Sequence, residues 1–202
     1  MSAAPVNPVF AQGRRELWLR ELTERVRPWF AEAKAPLPLH VQVSCGWPSR
    51  GATSSKKRVI GQCFKTECSA ILQNEVFITP TLADSQEVAA VLIHELVHAA
   101  DDCEHKHGKE FGKIARALGL EGKNTATHAG AGLIARLEPV IAELGPYPHG
   151  ALNPTLQIRK QSTRMKKAEC PKCGYVIRTT QKWIEAGLPT CCCGTQMEVV
   201  AA

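Results

Sequence analysis

His94-Glu95-Leu96-Val97-His98 sets two imidazoles four residues apart. On a helix that spacing puts both rings on one face, one turn apart, where they reach a single zinc ion. Glu95 then projects to the side of the pair. It can take a proton from the water on the metal without being a ligand itself. Zinc lowers the pKa of such a water to about 7, and the carboxylate serves as general base in attack on a carbonyl. From Val88 to Ala100 every other residue is uncharged, so His94, Glu95 and His98 are the polar exceptions in a helix expected to be buried. Unpartnered polar groups are costly in such a place, and a bound metal removes that cost.

A catalytic zinc needs a third protein ligand. Asp101, Asp102, Cys103, Glu104, His105 and His107 all follow within reach. The residues alone divide the choice between His107, His105 and Glu104. His107 stands directly before Gly108-Lys109-Glu110-Phe111, at the start of the next helical pattern. Hydrolysis also needs an oxyanion stabiliser besides the metal. Tyr147, His128, His149 and Arg50 are available types, and the sequence positions none of them.

A second constellation closes the chain. Cys170-Pro171-Lys172-Cys173-Gly174 reads as a zinc knuckle, two thiolates in a tight turn with glycine letting the backbone fold under the metal. Its partner departs from the regular pattern, because Thr190 stands where a second Cys-x-x-Cys would begin and three adjacent cysteines follow. Alternate residues of an extended turn point the same way, so Cys191 and Cys193 form the better pair and Cys192 is spare. Four thiolates around a tetrahedral zinc leave no open position, which makes the site structural. A segment this short has no core of its own, so the metal supplies much of its folding energy.

The elements that must position these groups follow from periodicity. Leu19, Leu22, Val26, Trp29 and Phe30 recur at helical intervals between Arg14 and Ala33, with a kink or end expected near Pro28. Leu39–Ser44, Val59–Phe64 and Glu75–Thr79 read as strands of a small antiparallel sheet. Asp84, with Glu87 three residues on, reads as the start of the motif helix, Ser85 to about Asp101. Helical patterns are expected again over 108–118 and 125–144, the latter interrupted by Gly130, Gly132 and Pro139.

Here a family resemblance is carried by residues already quoted. HELVHA followed by HGKEF resembles the SprT-like zinc metalloproteases, over roughly Pro36 to Leu118, and a C-terminal zinc ribbon of the kind some members carry extends it. The resemblance implies an α+β, zincin-like domain with a small antiparallel sheet and a buried HExxH helix. It implies that His94, His98 and His107 bind the catalytic zinc, that Glu95 is the base, and that the substrate is protein associated with DNA. The expected organisation is a tail over 1–13, the zincin domain over 14–150, a basic linker over 151–167 and the ribbon over 168–202.

Composition sets the outer bounds. The 202 residues, 44% of them hydrophobic, suffice for one ordinary domain with a satellite and exclude wholesale disorder. Of the net charge of +6, five units fall in residues 151–202, where eight basic residues meet three acidic ones. Arg159, Lys160, Arg164, Lys166 and Lys167 form an arm without acids, suited to phosphate contact. Lys172, Arg178 and Lys182 interleave with Tyr175 and Trp183, rings that can stack on bases. Ser54-Ser55-Lys56-Lys57-Arg58 reads as a solvated loop. Nine cysteines, five of them clustered, with no apolar leader, argue against a secreted disulfide framework and for a reducing, cytoplasmic setting. Cys63 and Cys68 read as buried thiols, and Cys103 as a thiol close to the zinc motif. The expected protein is thus a zinc-dependent endopeptidase with two zinc ions, one catalytic and one structural, protein and DNA as partners, and no membrane. Its alternative is a non-catalytic nucleic-acid-binding or transcription-associated protein that keeps the zincin fold as scaffold.

Overall fold

The computed structural model describes residues 14–54, 57–156 and 165–200 and divides into two compact units, 1–156 and 157–202. Among the described residues it is mixed α+β, with small sheets and five α-helices. The tail over 1–13 lies outside the described residues, as do Arg159, Lys160 and Arg164 of the basic arm.

In the first unit, α1 (Arg14–Glu32) buries Trp18, Leu19, Leu22, Val26 and Phe30 along one stripe. Pro28 neither ends nor precedes the end of the helix closely, since α1 runs on for another turn. It faces solvent, where water can satisfy the carbonyl it deprives of a partner, while Phe30 beyond it is fully buried and holds the last turn down.

The sheet comprises β1 (Val41–Cys45), β2 (Gly61–Phe64) and β3 (Asn74–Ile78), in the order β1-β3-β2. It is mixed, and this corrects the all-antiparallel expectation. β2 returns antiparallel to β3 through a short connection, but β1 pairs with β3 in parallel, Val43 beside Val76. The long segment between β1 and β2 carries the chain from one edge of β3 to the other, which a tight hairpin would not permit. One consequence matters for function: β2 is an edge strand.

Helix α2 (Ser85–Ala100) begins where expected, with the Asp84 carboxylate accepting from the Glu87 N–H at 2.8 Å. Val88, Leu92, Ile93, Leu96 and Val97 are fully buried on it, each worth about 1.5–3 kcal/mol of transfer free energy. It packs against α1, the sheet, α3 (Lys109–Ala117) and α4 (Ala131–Leu144). Ion pairs Arg25–Glu143 and Arg136–Glu32 tie α1 to α4.

The expected helix over 125–144 is shorter than the pattern suggests. Residues 126–129 form instead the second strand of a hairpin, β4 (Leu120–Lys123) with β5 (Ala126–Ala129), and α4 starts only after Gly130. Beyond α4 the chain stays on this unit past the expected linker start, the Leu152 N–H donating to Pro80 O.

In the second unit, β6 (Lys166–Glu169), β7 (Val176–Thr179) and β8 (Glu198–Val199) form a sheet ordered β7-β6-β8, with α5 (Gln181–Ala186) after β7. Lys166 and Lys167 therefore belong to a strand and not to a linker. Pairing with Thr179 and Arg178 orders them. Ala168, Cys170, Cys191 and Met197 are its buried centre.

Candidate metal centre and cleft

Three imidazoles meet at the bottom of a cleft in the first unit. His94 and His98 come from consecutive turns of α2, and His107 from the loop that leads into α3. The Nε2 atoms of His94 and His98 each lie 3.2 Å from Nε2 of His107. Tetrahedral bonds of 2.0–2.1 Å place neighbouring nitrogens ~3.3 Å apart, so the spacing suits a single ion. Phe111, fully buried on α3, lies beneath all three rings, with centroids 4.9, 4.5 and 5.1 Å from those of His94, His98 and His107.

Burial pushes His94 down to about 3, its two neighbours adding to the effect, and His98 to about 4. Partial burial also lowers His107. All three rings are therefore neutral near pH 7, the form that offers a lone pair to a metal. His94 Nδ1 lies 2.7 Å from Thr127 Oγ1 on β5, and in the tautomer that donates Nδ1–H to this oxygen Nε2 is bare.

The other sequence candidates go elsewhere. His105 is half-exposed and its Nδ1 is 3.1 Å from Asp101 Oδ2. Glu104 is exposed. Asp102 has a structural task that the sequence reading missed. With φ +50° it closes a Schellman turn on α2, in which the Cys103 N–H donates to His98 O and the Asp102 N–H to Ala99 O. Glycine normally takes that left-handed position. Here the carboxylate instead accepts from the Thr66 N–H, the Thr66 hydroxyl and the buried Asn74 amide, each at 2.8 Å. Burial by itself would raise this carboxyl. The three hydrogen bonds outweigh it and hold Asp102 below the usual carboxylate range. The loop that carries His107 is thus tied to β3 at one end. Near His107 itself, the Asn124 amide donates to the carbonyls of His107 and Gly108, both at 3.0 Å.

Glu95 is buried beneath β2, at 6% exposure. Burial raises its carboxyl to about 8, opposed by a hydrogen bond from the Cys63 backbone. Gly61 makes room for it. A Cβ at Gly61 would fall on Glu95 Oε1 and come within 2.8 Å of both Glu95 Cγ and Val91 Cγ1. Since the Thr79 N–H donates to Ile60 O, residues 60 and 62 face β3, while the backbone groups of Gly61 and Cys63 turn towards the cleft.

The cleft encloses about 490 Å³ and is walled by β2 with the residues before it, by α2, and by residues 125–127. None of Tyr147, His128, His149 and Arg50 lines it. Tyr147 is buried against Trp18, and His149 Nε2 lies 2.8 Å from Pro80 O. Arg58, expected in a solvated loop, and Lys106 line it instead. Cys63 and Cys103 also line it, while Cys68 is exposed, contrary to the buried thiol expected there.

In the second unit, one sulfur each of Cys170, Cys173, Cys191 and Cys193 lies within 4.8 Å of all the others, and Cys192 is outside this group and exposed. Cys170–Cys193 and Cys173–Cys191 are 3.5 and 3.4 Å apart. Zinc–sulfur bonds of 2.3 Å would set such edges at ~3.8 Å. Thr195, by hydroxyl and backbone N–H, pulls Cys193 down to about 6, while the neighbouring sulfurs, against the Tyr175 backbone, push Cys173 up to about 12. Both groups can hold a metal ion.

Searches of protein-family models, curated proteins and solved structures find no match to this chain. No helix among the described residues is long and apolar enough to cross a membrane.

Proposed function

We propose that the chain is a zinc-dependent endopeptidase of the SprT-like kind, with a zincin domain and a zinc ribbon. One observation carries the reading: three neutral imidazoles converge at tetrahedral spacing beside a buried carboxylate, in a cleft open along an edge strand. A purely structural site needs no carboxylate there. His94, His98 and His107 hold the catalytic zinc through Nε2. When bound, zinc polarises a carbonyl and acidifies water.

Burial favours the neutral form of Glu95 and the charge of a zinc ion beside it would favour the ionised one, in which its carboxylate takes up the nucleophile's proton and delivers it to the leaving amine. Gly61 offers backbone groups with which an extended substrate pairs as an added strand, which holds the scissile bond still. Phe111 seals the floor, and Thr127 fixes the orientation of His94.

The ribbon holds a structural zinc through Cys170, Cys173, Cys191 and Cys193 and contacts nucleic acid. Lys167 and Arg178 sit directly opposite each other on β6 and β7; Glu169 pairs with Lys167, while Arg178 makes no ion pair among the described residues and is left for phosphate. Tyr175 and Trp183 are exposed nearby in sequence, with Lys182 over the Trp183 ring. The basic arm preceding β6 adds charge for phosphate. A cytoplasmic protein acting on nucleic-acid-associated proteins fits this pairing of cleft and ribbon.

The test compares wild type with Glu95→Gln on an unstructured protein, with and without single-stranded DNA, after metal analysis of both samples. Fragments from wild type alone, increased by DNA, support the reading. Two zinc equivalents with no fragments under any condition would overturn it in favour of a non-catalytic, nucleic-acid-binding scaffold.

A further inference from the structure

The charges on the cleft walls are one-sided. Among the described residues its single carboxylate is Glu95, which lies buried under β2. Arg58 and Lys106 line the cleft as cations, and neither makes a hydrogen bond or ion pair among the described residues. Arg58 Nε is also buried without a partner, so its guanidinium is not held by any acceptor among the described residues. Lys106 holds a left-handed backbone at φ +47°, which a long side chain adopts only at a cost.

From this arrangement we infer that the cleft selects peptide segments bearing acidic side chains close to the bond to be cut. The inference rests on the peptidase reading above and names its substrate class. Lys106 adjoins the metal ligand His107. Arg58 precedes Gly61 by three residues, about 10 Å along an extended strand. A chain lying along β2 therefore meets both cations within roughly three positions of the scissile bond. There a guanidinium can take a carboxylate through two parallel hydrogen bonds, in a site from which water is partly excluded. A lysine or arginine of the substrate would instead face two cations and the metal, so repulsion sharpens the selection. A nucleic-acid-associated protein is basic where it meets phosphate. An acid-selecting cleft directs cutting to its other segments.

Three twelve-residue fluorescent peptides test this, sharing one Ala/Leu/Ser frame and carrying two Glu, two Gln or two Lys at its centre. Binding is read by anisotropy on full-length, zinc-loaded Glu95→Gln protein. Cleavage is read on the full-length active enzyme. The expected order is Glu over Gln over Lys, with about a tenfold step between Glu and Gln that shrinks as salt rises. Adding Arg58→Gln or Lys106→Gly should each reduce the Glu/Gln ratio severalfold. Lys106→Gly is chosen because glycine accepts φ +47° without strain, so folding is not put at risk. Equal binding of the three peptides overturns the inference. So does a Glu preference that survives both substitutions, since the ribbon or the metal would then be its source. If none of the peptides is cut although binding discriminates among them, the acid site stands and the peptidase reading falls.

Discussion

His94 Nδ1 and Thr127 Oγ1 are brought within 2.7 Å from α2 and β5, a contact that orients one imidazole of the three-nitrogen group and, with Nδ1–H donating, leaves its Nε2 bare. Thr127→Val keeps the shape and removes the acceptor. Affinity at the histidine site should then fall about 10- to 100-fold. Chelator titration of the zinc-loaded protein reads this directly, because the cysteine site provides an internal reference step that should not move. A single shifted step for both metals would mean that the substitution had loosened the whole chain.

Gly61 and Glu95 are in a comparable relation, backbone against side chain. Gly61→Ala sets a methyl group where the Glu95 carboxylate lies. The carboxylate must swing away, and a displacement of that order costs about a hundredfold in turnover. Zinc content should be unchanged, since none of the three histidines is touched. Full activity in this variant would show that Glu95 does not act from the observed position.

Asp102 supplies the pH dependence. Its carboxyl is held below its ordinary value of about 3.9, so the stabilisation is complete above that value and is lost as pH falls through the folded-state value. Asp102→Asn tolerates the same left-handed backbone but removes the charge and one acceptor. It should cost about 1–2 kcal/mol at pH 6 to 7. Thermal melts of both proteins as a pH series should show the difference shrinking below about pH 4. A gap that stays constant down to pH 2 would mean that the ionised carboxylate is not what ties the loop to Thr66 and Asn74.

The parts of this architecture that were legible in the sequence share a physical cause. The motif helix stood out because three polar residues interrupt an apolar run that only burial explains, and Asp84 announced its start. The cysteines stood out by spacing. What could not be read was set by contacts between distant segments. Thr127 and Asn124 sit in a hairpin whose second strand, Ala126-Thr127-His128-Ala129, is too short and alanine-rich to break a helical pattern. Asp102 was weighed as a ligand because a left-handed turn is invisible when glycine does not mark it. The parallel pairing of β1 depends on which edge of β3 it reaches, and the loop over 46–60 does not encode that locally. Arg58 looked solvated because nothing nearby in sequence reveals the cleft it borders.

The cysteine group allows a paired comparison. Cys191 lies 3.4 Å from Cys173 within the four-sulfur cluster, whereas Cys192 is exposed beside it. Cys191→Ser should release one metal equivalent and unfold the second unit, which has too little apolar core to hold without it. Cys192→Ser should retain both equivalents. Native mass spectrometry counts them, and loss of metal from the Cys192 variant would reassign the fourth ligand.

The assignment of His107 is tested most sharply against His105, two residues away in the same loop. His105 is engaged by Asp101 at 3.1 Å, and its ring takes no part in the three-nitrogen cluster. His107→Ala leaves two ligands, both on α2, and two imidazoles without a third bind zinc weakly at micromolar metal. That variant should retain only the cysteine-bound equivalent after gel filtration. His105→Ala loses one exposed ion pair, worth about 0–1 kcal/mol, and should keep both equivalents and its turnover. If both variants lose the same metal, the loop is held by the Asp101–His105 pair and the convergence of the three nitrogens depends on it. If neither does, His107 is no ligand, and Glu95 has no three-histidine site to serve.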